Sequence, residues 1–169
     1  MLPVHVTVAA VIEHNNRFLM VEERTSRGEI VFNQPAGHLE SDESLIEAVI
    51  REVKEETGLI FNPTELVGTY TLNPASNNQY YQRFCFTGTF EQPFTLAPED
   101  DDIIAAHWMT IDEILGKVPQ HRTGLIVQCL KDYIKGQRYA LDSILCSRDE
   151  LSLQREGINF LKQIVTKQE

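Results

Sequence analysis

The stretch Gly37-His-Leu-Glu-Ser-Asp-Glu43-Ser-Leu-Ile-Glu-Ala-Val-Ile-Arg51-Glu52-Val-Lys-Glu55-Glu56-Thr-Gly58-Leu59 constrains this chain more than any other. Ser44 followed three residues later by Glu47 is a capping box, which starts a helix by satisfying backbone N–H groups in both directions. Gly58 follows the last turn, where the chain needs a left-handed residue to leave the helix. Between these signals Ile46, Val49, Ile50 and Val53 fall at i, i+3, i+4 and i+7 and predict the stripe that faces the core. Glu52, Glu55 and Glu56 fall at i, i+3 and i+4, within an arc of roughly 100°, and the stripe predicts that they point largely away from it. Like charges so spaced repel by about a few tenths of a kcal/mol per pair, so three carboxylates on one turn call for a positive counterpart.

The rest of the chain supplies mixed elements around this unit. Residues 4–13 are β-branched and apolar and read as a buried strand. The polar turn 14–17 carries two asparagines, which tolerate the positive φ of a tight hairpin, and 18–23 return as a second strand. Residues 30–33 are extended, and Gln34 before Pro35 is pushed toward the same region. Strands follow at 66–72, 80–91 and 103–109, joined by a polar loop at 73–79 and an acidic one at 92–102. Thr110 and Glu113 form a second capping box, and residues 125–135 a helix with Ile126, Cys129, Leu130 and Tyr133 on one face. Residues 137–145 read as an extended tail, and 149–167 as an amphipathic terminal helix carrying Ile158, Leu161, Ile164 and Val165.

Composition narrows the function classes. The 169 residues suit one domain with a sizeable core. A formal charge of −10, from 15 Lys+Arg against 25 Asp+Glu, argues against a grip on polymeric nucleic acid, which rests on basic patches. It leaves room for a small phosphorylated ligand whose charge is met by metal ions. Three scattered cysteines without C-x-x-C spacing speak against a disulfide framework or a zinc site. With no apolar run long enough for a membrane span and no secretory pattern at the N-terminus, a cytoplasmic location is expected. No G-x-G-x-x-G follows the first strand and no G-x-x-x-x-G-K-[ST] occurs, which removes the common dinucleotide and P-loop readings.

A glutamate-rich helix face is by itself ordinary solvated surface. Clustered carboxylates, preceded by a loop offering a backbone carbonyl near Ala36 or Gly37, also suit a hard cation such as Mg²⁺ or Mn²⁺. Such an ion would screen phosphate oxygens and lower the pKa of a bound water. A curled loop would bring Glu43 back to Arg51 in a structural role.

The full spacing, Gly37-x5-Glu43-x7-Arg51-Glu52-Val53-x-Glu55-Glu56-x-Gly58-Leu59, resembles the Nudix box, G-x5-E-x7-R-E-U-x-E-E-x-G-U with U aliphatic, at every fixed position. The resemblance implies an α+β fold, an α/β/α sandwich with a mixed β-sheet between helices. It assigns residues 1–146 to that domain and leaves 147–169 as a C-terminal helical extension expected to pack on it. It further implies hydrolysis of phosphoric anhydrides with Mg²⁺ or Mn²⁺, metal ligation and water activation by Glu52, Glu55 and Glu56, and bracing by Glu43, Arg51 and Gly58. A narrower likeness to a bacterial phosphatase branch runs through His5-Val-Thr-Val-Ala, Asn33-Gln-Pro-Ala-Gly-His-Leu-Glu40, Arg83-Phe84, His107-Trp108 and Gly136-Gln-Arg-Tyr139. That likeness implies hydroxymethylpyrimidine pyrophosphate, thiamine pyrophosphate and nucleoside di- or triphosphates as substrates, handled by a monomer or homodimer. Two alternatives stand beside it: a broad nucleotide or nucleotide-sugar pyrophosphatase, and a non-catalytic nucleotide-sensing module.

Further candidates follow from side-chain chemistry. Arg24, Arg27 or Arg83 could meet phosphate, and Arg83 interrupts an otherwise aromatic strand. Asn33 and Gln34 could bond a pyrimidine edge. Phe32, Tyr80 or Tyr81 could stack on a base. His38 adjoins the loop glycine, and Glu99, Asp100, Asp101 or Asp102 could supply an additional acid.

Overall fold

A computed structural model describes residues 3–73, 79–92, 94–144 and 150–166. Strands β1 (Val4–Val11), β5 (Ala36–His38), β6 (Phe61–Leu72), β7 (Tyr80–Phe90) and β9 (Tyr139–Ala140) form a five-stranded sheet in the order β5-β1-β7-β6-β9. The β1–β7 pairing is parallel and the rest are antiparallel, so the sheet is mixed. A second, antiparallel sheet is built on β3 (Arg17–Arg24). It carries β8 (Ile103–Met109) along one side and the short β2 (Glu13–His14) and β4 (Ile30–Asn33) along the other. Asn15 and Asn16 take φ of 51° and 60° in the β2–β3 turn, the positive values the sequence predicts there.

Helix α1 (Leu45–Thr57) covers one face of the five-stranded sheet, with Val49 and Val53 packing in a core with Val8, Ala10 and Phe86. Helix α3 (Leu125–Ile134) covers the other, where Ile126, Cys129 and Leu130 meet Ala9, Val11 and Cys85. The short α2 (Ile111–Gly116) begins at the predicted Thr110–Glu113 capping box. This is the α/β/α sandwich expected.

Three details differ from the sequence reading. Strand β6 starts at Phe61, ahead of position 66, because Pro63 sits beside a break in the ladder register, where its missing N–H costs no bond. The residues before α1 include a strand, β5, and not only a loop. Helix α1 is also rolled about its axis relative to the predicted stripe. Leu45, Ala48, Val49 and Val53 are buried, and so are Glu52 and Glu56, whereas Ile50 is 36% exposed. Packing over β1 and β5 turns two glutamates inward and leaves one isoleucine in solvent.

Helix α4 (Glu150–Thr166) carries the predicted apolar positions, but Leu151, Ile158, Phe160 and Leu161 are exposed. Among the described residues no helix is long and apolar enough to cross a membrane. The loop at 74–78 and Cys146 lie outside the described residues.

Candidate active site

The capping box and the Gly58 terminus of α1 form as the sequence dictates. Ser44 Oγ accepts from Glu47 N–H at 3.2 Å, Glu47 returns the bond to Ser44 N–H at 2.7 Å, and Gly58 takes φ 77°. The helix is thereby fixed at both ends beside β5, the edge strand of the sheet. Glu52 reaches across that edge because Gly37 has no side chain. A Cβ at Gly37 would lie 2.0 Å from Glu52 Oε1. Glu56 is held by the Ala36 N–H, which donates to Oε2 at 2.8 Å. Antiparallel pairing leaves the N–H and C=O of one residue on the same side of the strand, so the Ala36 carbonyl also turns away from β1. Val8 and Gly37 are partners in that ladder, and the flanking Ala10-to-Pro35 and Leu39-to-Val6 bonds fix the alternation. Of the two carbonyls named from sequence, Ala36 therefore faces α1. Gly37 turns its carbonyl toward β1, and its contribution is space for Glu52.

Arg51 organises the acidic turn. It donates to both oxygens of Glu43 at 2.8 and 3.0 Å, to Glu52 Oε1 at 2.8 Å, to Glu55 Oε2 at 3.1 Å and to the His38 carbonyl at 3.0 Å. These partners, Glu43 first, push its pKa further above the normal guanidinium range. The curled loop predicted to return Glu43 to Arg51 is present. Replacing Arg51 with methionine takes the cation away from the mostly buried carboxylates of Glu43 and Glu52. It is expected to cost about 2 kcal/mol in urea denaturation, with lysine restoring only part because it lacks the planar fork.

Burial governs the titration of the inward glutamates. Desolvation raises the pKa of Glu52 against the opposing pull of Arg51, and raises that of Glu56 well above the usual carboxylate value. The Glu55 side chain is 44% exposed and turned to Arg51.

Glu52 and Glu56 line a cavity of about 690 Å³, together with Gly37, Ala36, His38 and residues from both sheets. Of the substrate candidates, Arg24, Asn33, Arg83 and Asp102 line it, as do Asp100 and Tyr81. Arg83 is 7% exposed, and its Nε and Nη1 have no hydrogen-bond partner among the described residues. Tyr81 stacks on His5 with ring centroids 5.2 Å apart. Burial, then the charges of His5, Arg122 and Arg83, lower the pKa of His38 and so favour its neutral form.

Several candidates fall elsewhere. Gln34 is 1% exposed and is not among the lining residues, because its strand-end position turns the side chain into the interior. Phe32 is buried in the α3-side core beneath Lys117. Glu99 pairs with Lys54. Arg27, Tyr80 and Asp101 are also absent from the lining. Sequence reasoning missed Glu23, Arg122 and Thr123, all of which line the cavity. Glu23 is 6% exposed and accepts from Arg122 Nη1 at 2.8 Å, and burial raises its pKa despite that partner. Its mark in the sequence is only a charged residue near the end of a strand buried on both faces.

Among the described residues no three His, Cys, Asp or Glu side chains are drawn together as a ready-made ligand set. The donors present still fit a hard cation: two buried carboxylates, a third on the same turn, and a backbone carbonyl directed at them. Isolated buried carboxylates are costly, and a bound cation would offset that cost.

Comparison with known proteins agrees with the geometry. The NUDIX domain family model matches residues 1–128. Phosphatase NudJ of Shigella boydii is 41% identical over 140 residues, covering 83% of this chain and 90% of that protein. Phosphatase NudJ of Escherichia coli K12 is 40% identical over the same spans. A solved NUDIX hydrolase structure from Nitrosomonas europaea superposes with a TM-score of 0.81 at 47% identity, covering 86% of this chain and 97% of that one. By fold, by box and by relatives, the chain belongs to the Nudix family and is a phosphohydrolase that acts on pyrophosphate bonds.

Proposed function

We propose that this enzyme is a phosphatase dependent on Mg²⁺ or Mn²⁺. Its substrates are small pyrophosphorylated molecules: hydroxymethylpyrimidine pyrophosphate, thiamine pyrophosphate and nucleoside di- and triphosphates. The observation that carries the reading is the burial of Glu52 and Glu56 side by side at one cavity, with Gly37 and Ala36 of an edge strand shaped to receive them. The phosphatase relatives support the product, a released orthophosphate.

When bound, a divalent cation supplies charge neutralisation at phosphate oxygens and a water of lowered pKa. Glu52, Glu55 and Glu56 would hold it, with the Ala36 carbonyl. The protein's own groups do the rest. Arg51 orients Glu52 and Glu55, and the Ala36 N–H fixes the rotation of Glu56. One carboxylate of the three takes the proton of the attacking water. Arg83 offers its two unpartnered donors to a phosphate that shares the cavity.

Product analysis tests the reading. With Mg²⁺, orthophosphate is expected from thiamine pyrophosphate and nucleoside triphosphates. Release of pyrophosphate, or of two monophosphates from nucleotide sugars, would place the enzyme with the broad pyrophosphatases instead.

A further inference from the structure

Three deeply buried side chains at the cavity keep polar atoms without a partner. Glu23, Asn33 and Arg83 are 6%, 3% and 7% exposed. Among the described residues Glu23 Oε1, Asn33 Oδ1, and Arg83 Nε and Nη1 make no hydrogen bond, and all three residues line the cavity. An orphaned buried polar group costs about 1–3 kcal/mol, so three at one cavity mark groups that a ligand completes.

The backbone places the two acceptors together. Asn33 of β4 lies opposite Val21 of β3, and Glu23 lies opposite Val31, so Glu23 and Asn33 are diagonal neighbours on one face of the pair. The β3–β8 ladder shifts register between Glu22 and Glu23, with Ile104 of β8 as the extra residue. Arg122 then selects which oxygen stays free. Its backbone N–H bonds to the Phe32 carbonyl at 2.9 Å, and its Nη1 takes Glu23 Oε2 at 2.8 Å. Oε1 makes no hydrogen bond among the described residues, and the Asn33 side chain lies against the same carboxylate.

We propose that Glu23 Oε1 and Asn33 Oδ1 are an acceptor pair that reads the exocyclic amino group of a heterocyclic substrate, an aminopyrimidine or aminopurine, while Arg83 takes its phosphate. The inference rests on the phosphohydrolase reading above and adds the residues that discriminate an amino from an oxo heterocycle. An amino group brings two N–H donors to two oxygens. An oxo group at the same place brings lone pairs and is repelled. The Arg122 guanidinium already neutralises Glu23, and Asn33 is neutral, so the pair has little net charge to offer a second cation. A cavity of about 690 Å³ lies within the usual range for a small-molecule site.

The test is calorimetric binding of non-hydrolysable analogues of CTP, UTP, ATP and ITP to the full chain with Mg²⁺ at mildly alkaline pH, with turnover of the natural nucleotides assayed in parallel. The wild-type protein is expected to bind each amino-bearing analogue about tenfold more tightly than its oxo counterpart. In Glu23→Gln, Arg122 still claims the oxygen, so the amide turns its NH₂ to the cavity and the preference reverses toward UTP and ITP. Equal affinities in the wild type overturn the proposal, as does a Glu23→Gln variant, folded by its melting curve, that weakens both members of a pair alike. Absence of turnover with the affinity ratio intact contradicts the hydrolase reading and leaves the acceptor pair standing.

Discussion

Glu56→Gln is expected to lower kcat by about 10²–10⁴-fold while leaving the fold intact and making the metal-free protein more stable at neutral pH. The glutamine oxygen can still accept the Ala36 N–H that now meets Glu56 Oε2 at 2.8 Å, so the local geometry survives. What disappears is a negative charge 4% exposed to solvent. In the wild type that charge is costly without a cation, and burial raises the pKa well above the reference carboxyl value of 4.5. The sign of the pH dependence follows. Above 4.5 the unfolded chain has released this proton while the folded chain still holds it. Wild-type stability therefore falls as pH rises through the window up to the raised folded value, and then levels. The glutamine variant lacks this contribution, so its melting temperature should exceed that of the wild type by an amount that grows across the window. Activity lost and stability gained together mark a carboxylate retained for chemistry.

Gly37→Ala is expected to reduce turnover by about 10²-fold with a much smaller effect on folding. The added Cβ would stand 2.0 Å from Glu52 Oε1 and 2.1 Å from its Cδ, so the carboxylate has to leave its place. The displaced atoms are the end of a flexible side chain, which can swing away without moving the sheet. The displacement breaks the 2.8 Å bond from Arg51 and takes Glu52 out of the cavity. Gly58→Ala is the contrasting control. There φ is 77° and the new Cβ would lie 2.7 Å from the Ala97 carbonyl oxygen. That substitution strains backbone and should act on stability. Melting curves and steady-state kinetics on the two variants separate the cases: a Gly37→Ala enzyme with wild-type kcat would show that Glu52 need not sit where it does.

The helix, its caps and its glutamates were legible because each is local: a cap, a period and a terminal glycine are set by neighbours along the chain. The rotation of α1 was not legible. Ile46, Val49, Ile50 and Val53 make a plausible stripe, and so do Leu45, Ala48, Val49 and Val53. Only the sheet that the helix meets decides between them, and it buries Glu52 and Glu56 at the cost of exposing Ile50. Arg51 and Glu43 were recoverable because only the cap and first turns of α1 separate them. Glu23 was missed for a physical reason. Strand β3 is buried on both faces, with Phe18 and Met20 in one core and Leu19 in the other, so alternation cannot say whether Glu22 or Glu23 turns inward. What settles it is tertiary: Glu23 meets Arg122, 99 residues on, at the cavity, whereas Glu22 meets His107. Gln34 shows the converse: its amide reads as a second group for a pyrimidine edge, and tertiary packing buries it away from the cavity.

The account stands or falls on metal-dependent hydrolysis at the Glu52–Glu56 cavity. The most direct measurement is release of orthophosphate from thiamine pyrophosphate and nucleoside triphosphates by the full chain, with Mg²⁺ or Mn²⁺ and again with a chelator. Turnover that requires the cation, vanishes with the chelator and returns on its re-addition is the predicted result. Equal turnover with the chelator, or none across the panel with either cation, would contradict it.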